Sequence, residues 1–263
     1  MRALFFDRKR IIGLLLLVLL FLSQMPFATK HSLKQSFTVF SFKLLGYKVY
    51  NYREVTVLSK NPLPRGFLPR VNNLFSKEKK YFSYQAKNRA VIVLTSNLNS
   101  YGLFALPSQG YYWEGVIYLA NDWESQALAH EISHLLIDIK TGGKLSRYLH
   151  EGVAQWAEVA FGEAPAFWGN EEEVFYSIKE LEKNLDSEEN QYAAYRQSYY
   201  FVKFLEAKKG REGLLRFLEE TKRSGEAKAF LKVYGQEEKE IFSKFLNWYQ
   251  KEKVKAEALT SAF

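Results

Sequence analysis

At residues 130–134 the chain reads His130-Glu131-Ile132-Ser133-His134, and no other stretch restricts the fold as much. Two histidines four positions apart share one face of an α-helix, so both imidazoles reach one ion only if this segment is helical. Glu131 is turned about 100° from His130 around the same helix. It is poorly placed as a ligand beside them, yet it can take a proton from a water held by the ion. The sequence also marks a helix start, with Asn121 as N-cap and Glu124 three residues later as its capping-box partner. The chain has no cysteine. Disulfides, thiolate nucleophiles and thiolate-bound zinc are therefore excluded, and a transition metal here rests on His and carboxylate ligands.

Two imidazoles leave a catalytic zinc one protein ligand short of the usual three. Past a Gly142-Gly143 break comes Leu149-His150-Glu151-Gly152-Val153-Ala154-Gln155-Trp156-Ala157-Glu158. A Gly-Gly turn lets a second helix fold back on the first and bring Glu151 toward the two histidines. Gly152 permits close helix approach. Glu158, two helical turns after Glu151, lies on the same face and can hold a ligand histidine through its second ring nitrogen.

The HExxH element followed by Leu149-x-Glu151-Gly152-x-Ala154-x-Trp156-x-Glu158 resembles the gluzincin metallopeptidases, above all the peptidase MA-like family. The resemblance implies one Zn2+ per chain on His130, His134 and Glu151. It further implies Glu131 as catalytic base and a peptide or protein substrate whose peptide bond is hydrolysed. Residues 113–119 look like the family's edge strand and residues 195–205 like its downstream helix, so roughly residues 90–250 are covered. By the same resemblance Tyr195 supplies a hydroxyl to the oxyanion, with Tyr199, one turn on, as rival. The chain departs from the family pattern at Tyr148, where Trp is common, and at His150, where Asn or a small residue is common. His150 is a competing donor for the metal.

Residues 11–22 are an apolar run behind Arg2, Arg8, Lys9 and Arg10. As a helix it spans about 18 Å, short of the ~30 Å hydrocarbon core. With residues 23–28 behind it, the run reads as a signal peptide. Because Pro26 falls at −3 of a cut after Ala28, an uncleaved signal anchor is the other reading, with the membrane as partner. Either places the globular part outside the cytoplasm. Of the formal net charge of +8, +3 precedes the apolar run and +5 follows it. Dispersed charge of that size serves solubility, and no nucleic-acid partner is expected.

Residues 36–57 alternate aromatic and β-branched with polar residues and read as strands, as do 90–95 and 115–120, while 67–84 has a helical rhythm and 102–110 is a loop. Helical stretches follow at 123–140, 147–161, 171–185, 191–208, 211–223 and 226–254. The expected class is α+β and zincin-like: an N-terminal mixed sheet, an active-site helix and a C-terminal helical subdomain. The divisions are 1–28 (signal peptide or anchor), 29–120 (α+β part) and 121–263 (helical part with the ligands). His31 receives no role. Two other functions fit the composition. One is a catalytically silent zincin-fold scaffold at the membrane. The other is a basic surface-binding module built on residues 77–80 and 251–255, though such clusters more simply are solvated helix faces.

Overall fold

Strand β1 (Lys48–Tyr52) turns directly into β2 (Val55–Ser59), and β3 (Ala90–Thr95), β4 (Gly110–Trp113) and β5 (Val116–Ala120) complete one five-stranded sheet in the order β1-β2-β3-β5-β4. β2, β3 and β5 run parallel, and β1 and β4 are antiparallel edges. The computed structural model describes residues 27–85, 88–95, 110–120, 125–161, 175–187 and 189–260. The apolar run at 11–22, most of the 102–110 loop and the Asn121/Glu124 cap lie outside the described residues. No described helix is long and apolar enough to cross a membrane.

Every residue of β2 and β3 is buried, because both faces of the sheet are covered. Val55, Val57, Ala90, Ile92, Leu94, Ile117 and Leu119 point into the main core. The intervening Leu58, Val91, Val93 and Val116 point the other way, onto Val39 and Phe42 of helix α1 (Phe27–Leu44). On the main side lie α2 (Phe67–Tyr81), α3 (Ser125–Thr141), α4 (Arg147–Ala160), α5 (Ile178–Asn184), α6 (Gln191–Ser224), α7 (Glu226–Tyr234) and α8 (Glu238–Thr260). One apolar cluster runs from Val55 to Tyr249 through this whole layer.

The α+β class with a mixed sheet and many helices is as expected, but several elements differ. Residues 36–44 are helical, not extended. Phe37 and Phe40 face outward while Val39 and Phe42 pack on the sheet, so apolar residues on both faces of one helix mimic a strand's alternation. The edge strand is Gly110–Trp113, and the stretch 113–119 spans the hairpin into β5. Among the described residues of 171–185, helix α5 covers Ile178–Asn184, starting at a Ser177/Glu180 capping box. The stretches 191–208 and 211–223 merge into α6, broken only at Gly210. The expected helix at 226–254 is instead two, ending first at the left-handed Gly235.

Candidate metal centre

Helix α3 carries His130, Glu131 and His134, and α4 carries His150, Glu151 and Glu158. Between them Gly142 and Gly143 both donate their N–H to the carbonyl of Asp138, closing α3 and reversing the chain. The cross-helix partners run in opposite order, His130 meeting Glu151 and Glu158 while Asp138 meets His150, so the helices are antiparallel. Gly152 sets how near α4 comes to α6. A Cβ there would sit 2.4 Å from the Ser198 carbonyl oxygen, so only glycine lets the third helix press this close beside Glu151.

His130 Nε2 and His134 Nε2 stand 3.0 Å apart, and each is 3.3 Å from Glu151 Oε2. Four tetrahedral donors about 2.0–2.1 Å from a zinc ion lie ~3.4 Å from one another. The spacing and the donor set of two imidazoles and a carboxylate therefore fit Zn2+. The backs of both imidazoles are also held. His130 Nδ1 is 3.0 Å from Glu158 Oε2, and His134 Nδ1 is 2.7 Å from His150 Nδ1. His150 Nε2 in turn lies 3.0 Å from Asp138 Oδ1, whose Oδ2 accepts the Tyr112 hydroxyl at 2.7 Å. Tyr112 Oη is 2.9 Å from His31 Nε2.

The directions follow from the ligand end. With Nε2 of His134 turned toward an ion, its Nδ1 carries the hydrogen and donates to His150, whose Nε2–H then donates to Asp138. Tyr112 donates to Asp138, so its oxygen accepts from His31. Burial lowers the proton affinity of His134, to a pKa of about 4, although Glu151 opposes the shift. Burial disfavours a charge on His130 too, but Glu151 and Glu158 more than offset it and raise the imidazole well above its ordinary range. Burial also works against the Glu151 carboxylate, yet the two imidazoles hold it well below the usual range.

Glu131 is buried beside this cluster, and burial pushes its carboxyl up to about 8. Its carboxylate accepts the backbone N–H of Tyr112, and a Cβ at Gly110 would lie 2.8 Å from its Cγ. The edge strand thus lies directly along Glu131. Below α3, Ser133 Oγ donates to Glu78 at 2.8 Å, and burial raises the Glu78 carboxyl well above its ordinary range. Tyr195, on α6, has its hydroxyl shifted upward first by the charge of Glu151 and then by burial. Tyr199 is pushed up to about 12 by burial, with Tyr200 and Glu206 contributing, and not by the cluster carboxylates. Arg147 opens α4 and makes a two-pronged contact to Asp186 at 2.5 and 2.6 Å, and its charge is felt by Tyr195.

His130, Glu131, His134, His150, Glu151 and Glu158 thus come together here, Tyr195 feels the charge of Glu151, and Tyr199 does not. Sequence reasoning treated His150 as a competitor for metal and passed over Asp138, Tyr112 and His31. Asp138 had a signal, since it follows His134 by one helical turn on the same face. Tyr112 and His31 had none. Residues 90–251 match a family model described as Peptidase MA superfamily. No curated protein matches the chain. Among solved structures it is similar to an M1 zinc metallopeptidase mutant from Deinococcus radiodurans, bound to a Tyr-Ser-Ala substrate. That likeness has a TM-score of 0.46 at 12% identity and covers 76% of this chain and 51% of the other. The chain thus spans about half the length of that protein.

Proposed function

Since the chain belongs to the peptidase MA superfamily, we propose that it is a zinc-dependent peptidase, with His130, His134 and Glu151 as ligands and Glu131 as catalytic base. The observation that carries this is the convergence of three donor atoms at 3.0–3.3 Å with a buried carboxyl alongside. Zinc, when bound, supplies a Lewis acid that polarises the scissile carbonyl and lowers the pKa of water. Glu131 takes the water's proton on its carboxylate and passes it to the leaving amine. Tyr195 donates its hydroxyl hydrogen to the developing oxyanion. Glu158 and His150 fix the tautomers of the two ligand imidazoles. Residues 29–120 supply the sheet that borders the site and residues 121–263 the helices that form it.

Glu131→Gln tests the assignment. It should retain zinc and fold while losing chelator-sensitive cleavage of casein, whereas His130→Ala, His134→Ala and Glu151→Ala should each lower zinc content. A zinc-free Glu131→Gln beside a fully loaded Glu151→Ala would overturn these roles. Wild-type protein that binds one zinc and cleaves neither casein nor a peptide library would be a silent scaffold instead.

The globular part is placed outside the cytoplasm, on the grounds of the apolar run at 11–22 behind its basic flank. Alkaline phosphatase fused after residue 60 should be active. An inactive fusion, with a fluorescent cytoplasmic reporter at the same position, would refute this topology.

A further inference from the structure

Helix α1 has two apolar faces, and only one of them is used by the fold. On the inner face Phe42 packs on Tyr47 and Tyr118, and Gln35 donates to the carbonyls of Gly115 and Arg89 at 2.8 and 3.1 Å. On the outer face Leu33, Phe37, Phe40 and Leu44 recur at steps of four, three and four residues, which is a single stripe along a helix. They are 42%, 71%, 60% and 72% exposed, and Leu45, just past the end of the helix, is 64% exposed. Beside the helix stands Trp113, also half exposed, with the Lys34 ammonium 5.1 Å from its ring centroid. Among the described residues, the large exposed apolar side chains are concentrated here. Scattered singly they would need no explanation, but a contiguous stripe does.

The charge distribution identifies what covers it. Residues 8–53 hold eight basic residues and no acidic one, while residues 54–263 carry 28 of each sign. The whole net charge of +8 therefore belongs to the stretch containing the apolar run and α1. The +5 after that run is not dispersed but sits on Lys30, Lys34, Lys43, Lys48 and Arg53. Lys43 falls on one flank of the stripe, where its long side chain can keep its ammonium group at a polar boundary while the stripe is buried, and Lys34, on the other flank, is ion-paired with Glu114. The apolar run at 11–22 ends only a few residues before α1 begins.

We propose that α1 lies along the surface of an anionic lipid bilayer, with Leu33, Phe37, Phe40, Leu44 and Leu45 among the acyl chains and Lys43 at the headgroups. An in-plane helix of this kind binds by its buried apolar area together with attraction to anionic lipid. It is a contact separate from any anchor at 11–22, and it holds whether or not that segment is cleaved. It is also independent of the peptidase chemistry.

The chain has no native cysteine, so one label can be placed at will. Phe40→Cys and, as control, Leu231→Cys on α7, both at exposed positions, carry an environment-sensitive fluorophore on the full chain. The probe is vesicles of phosphatidylcholine and phosphatidylglycerol in equal amounts, with and without bromine on the acyl chains. At position 40 the emission should shift to the blue, be quenched by the brominated chains, and shift less on pure phosphatidylcholine. At position 231 none of these should occur. A blue shift without bromine quenching would assign the stripe to protein, either a second copy or residues 11–22, and overturn the proposal. So would a water-like signal at position 40 in a chain that floats with the vesicles, since residues 11–22 alone would then hold it there.

Discussion

His150 turns its Nδ1 toward Nδ1 of His134 at 2.7 Å, in position to support that imidazole from behind. The opposite nitrogen of His150 is committed to Asp138, at 3.0 Å. His150→Ala should therefore weaken zinc binding about 10- to 100-fold, measured by competition with a chromophoric chelator. His150→Asn should recover part of that, because an amide oxygen can accept from His134 Nδ1–H. Tighter zinc binding in His150→Ala would mean that His150 competes after all.

Gly110 leaves no room beside Glu131. A methyl group there meets Glu131 Cγ at 2.8 Å and Leu119 Cδ2 at 3.1 Å. Gly110→Ala should displace the carboxyl or lift the edge strand, at a stability cost of about 1–3 kcal/mol. Turnover should fall at least tenfold while zinc stoichiometry stays at one. Unaltered kcat with an unaltered melting temperature would show that the strand yields without moving Glu131.

Tyr195→Phe should lower kcat by roughly 10²–10³, the usual consequence of removing one oxyanion donor, with zinc content and melting temperature unchanged. Tyr199 feels Tyr200 and Glu206 and not the cluster, so Tyr199→Phe should stay within a few-fold of wild type. Full activity in Tyr195→Phe would remove that residue from the mechanism.

The N-terminal end of α4 is gripped by carboxyl groups. Glu226 accepts the Ser146 N–H, and Glu238 accepts the Tyr148 hydroxyl. Burial first, then Glu238, raises Glu226 to about 7, against an ordinary 4.5. A carboxyl raised in the folded state favours folding below its unfolded pKa, and that contribution is lost as pH climbs from about 4.5 through 7. Glu226→Gln should flatten this loss, gaining about 1–2 kcal/mol on wild type at pH 8 relative to pH 4 after allowance for solvent screening. Denaturant unfolding of both proteins across that range checks it. Parallel curves would exclude Glu226 as the source.

What could be read from the sequence was local. His130 and His134 are one turn apart, and Glu151 and Glu158 are two turns apart on the next helix, so helical periodicity placed each pair on a face. The support behind His134 was illegible because its later links join distant residues. Tyr112 and Asp138 are 26 positions apart, and His31 and Tyr112 are 81 apart. Residues 36–44 were misread for a different reason: periodicity detects one buried face, and α1 offers two apolar ones.

The central strand limits how the chain can be divided. Residues 90–251 carry every side chain of the proposed metal centre, which invites expression of that segment alone. Yet its first strand, β3, is buried along its whole length, and one of its edges is paired to β2 from Val55↔Ala90 to Leu58↔Val93. Cutting at residue 90 would bare the backbone of Ala-Val-Ile-Val-Leu-Thr, an uncharged, β-prone hexapeptide without proline. Such an edge is a template for strand addition between molecules. The excised piece would aggregate before its chemistry could be assayed, so residues 90–251 and the strands that precede them are one unit of solubility.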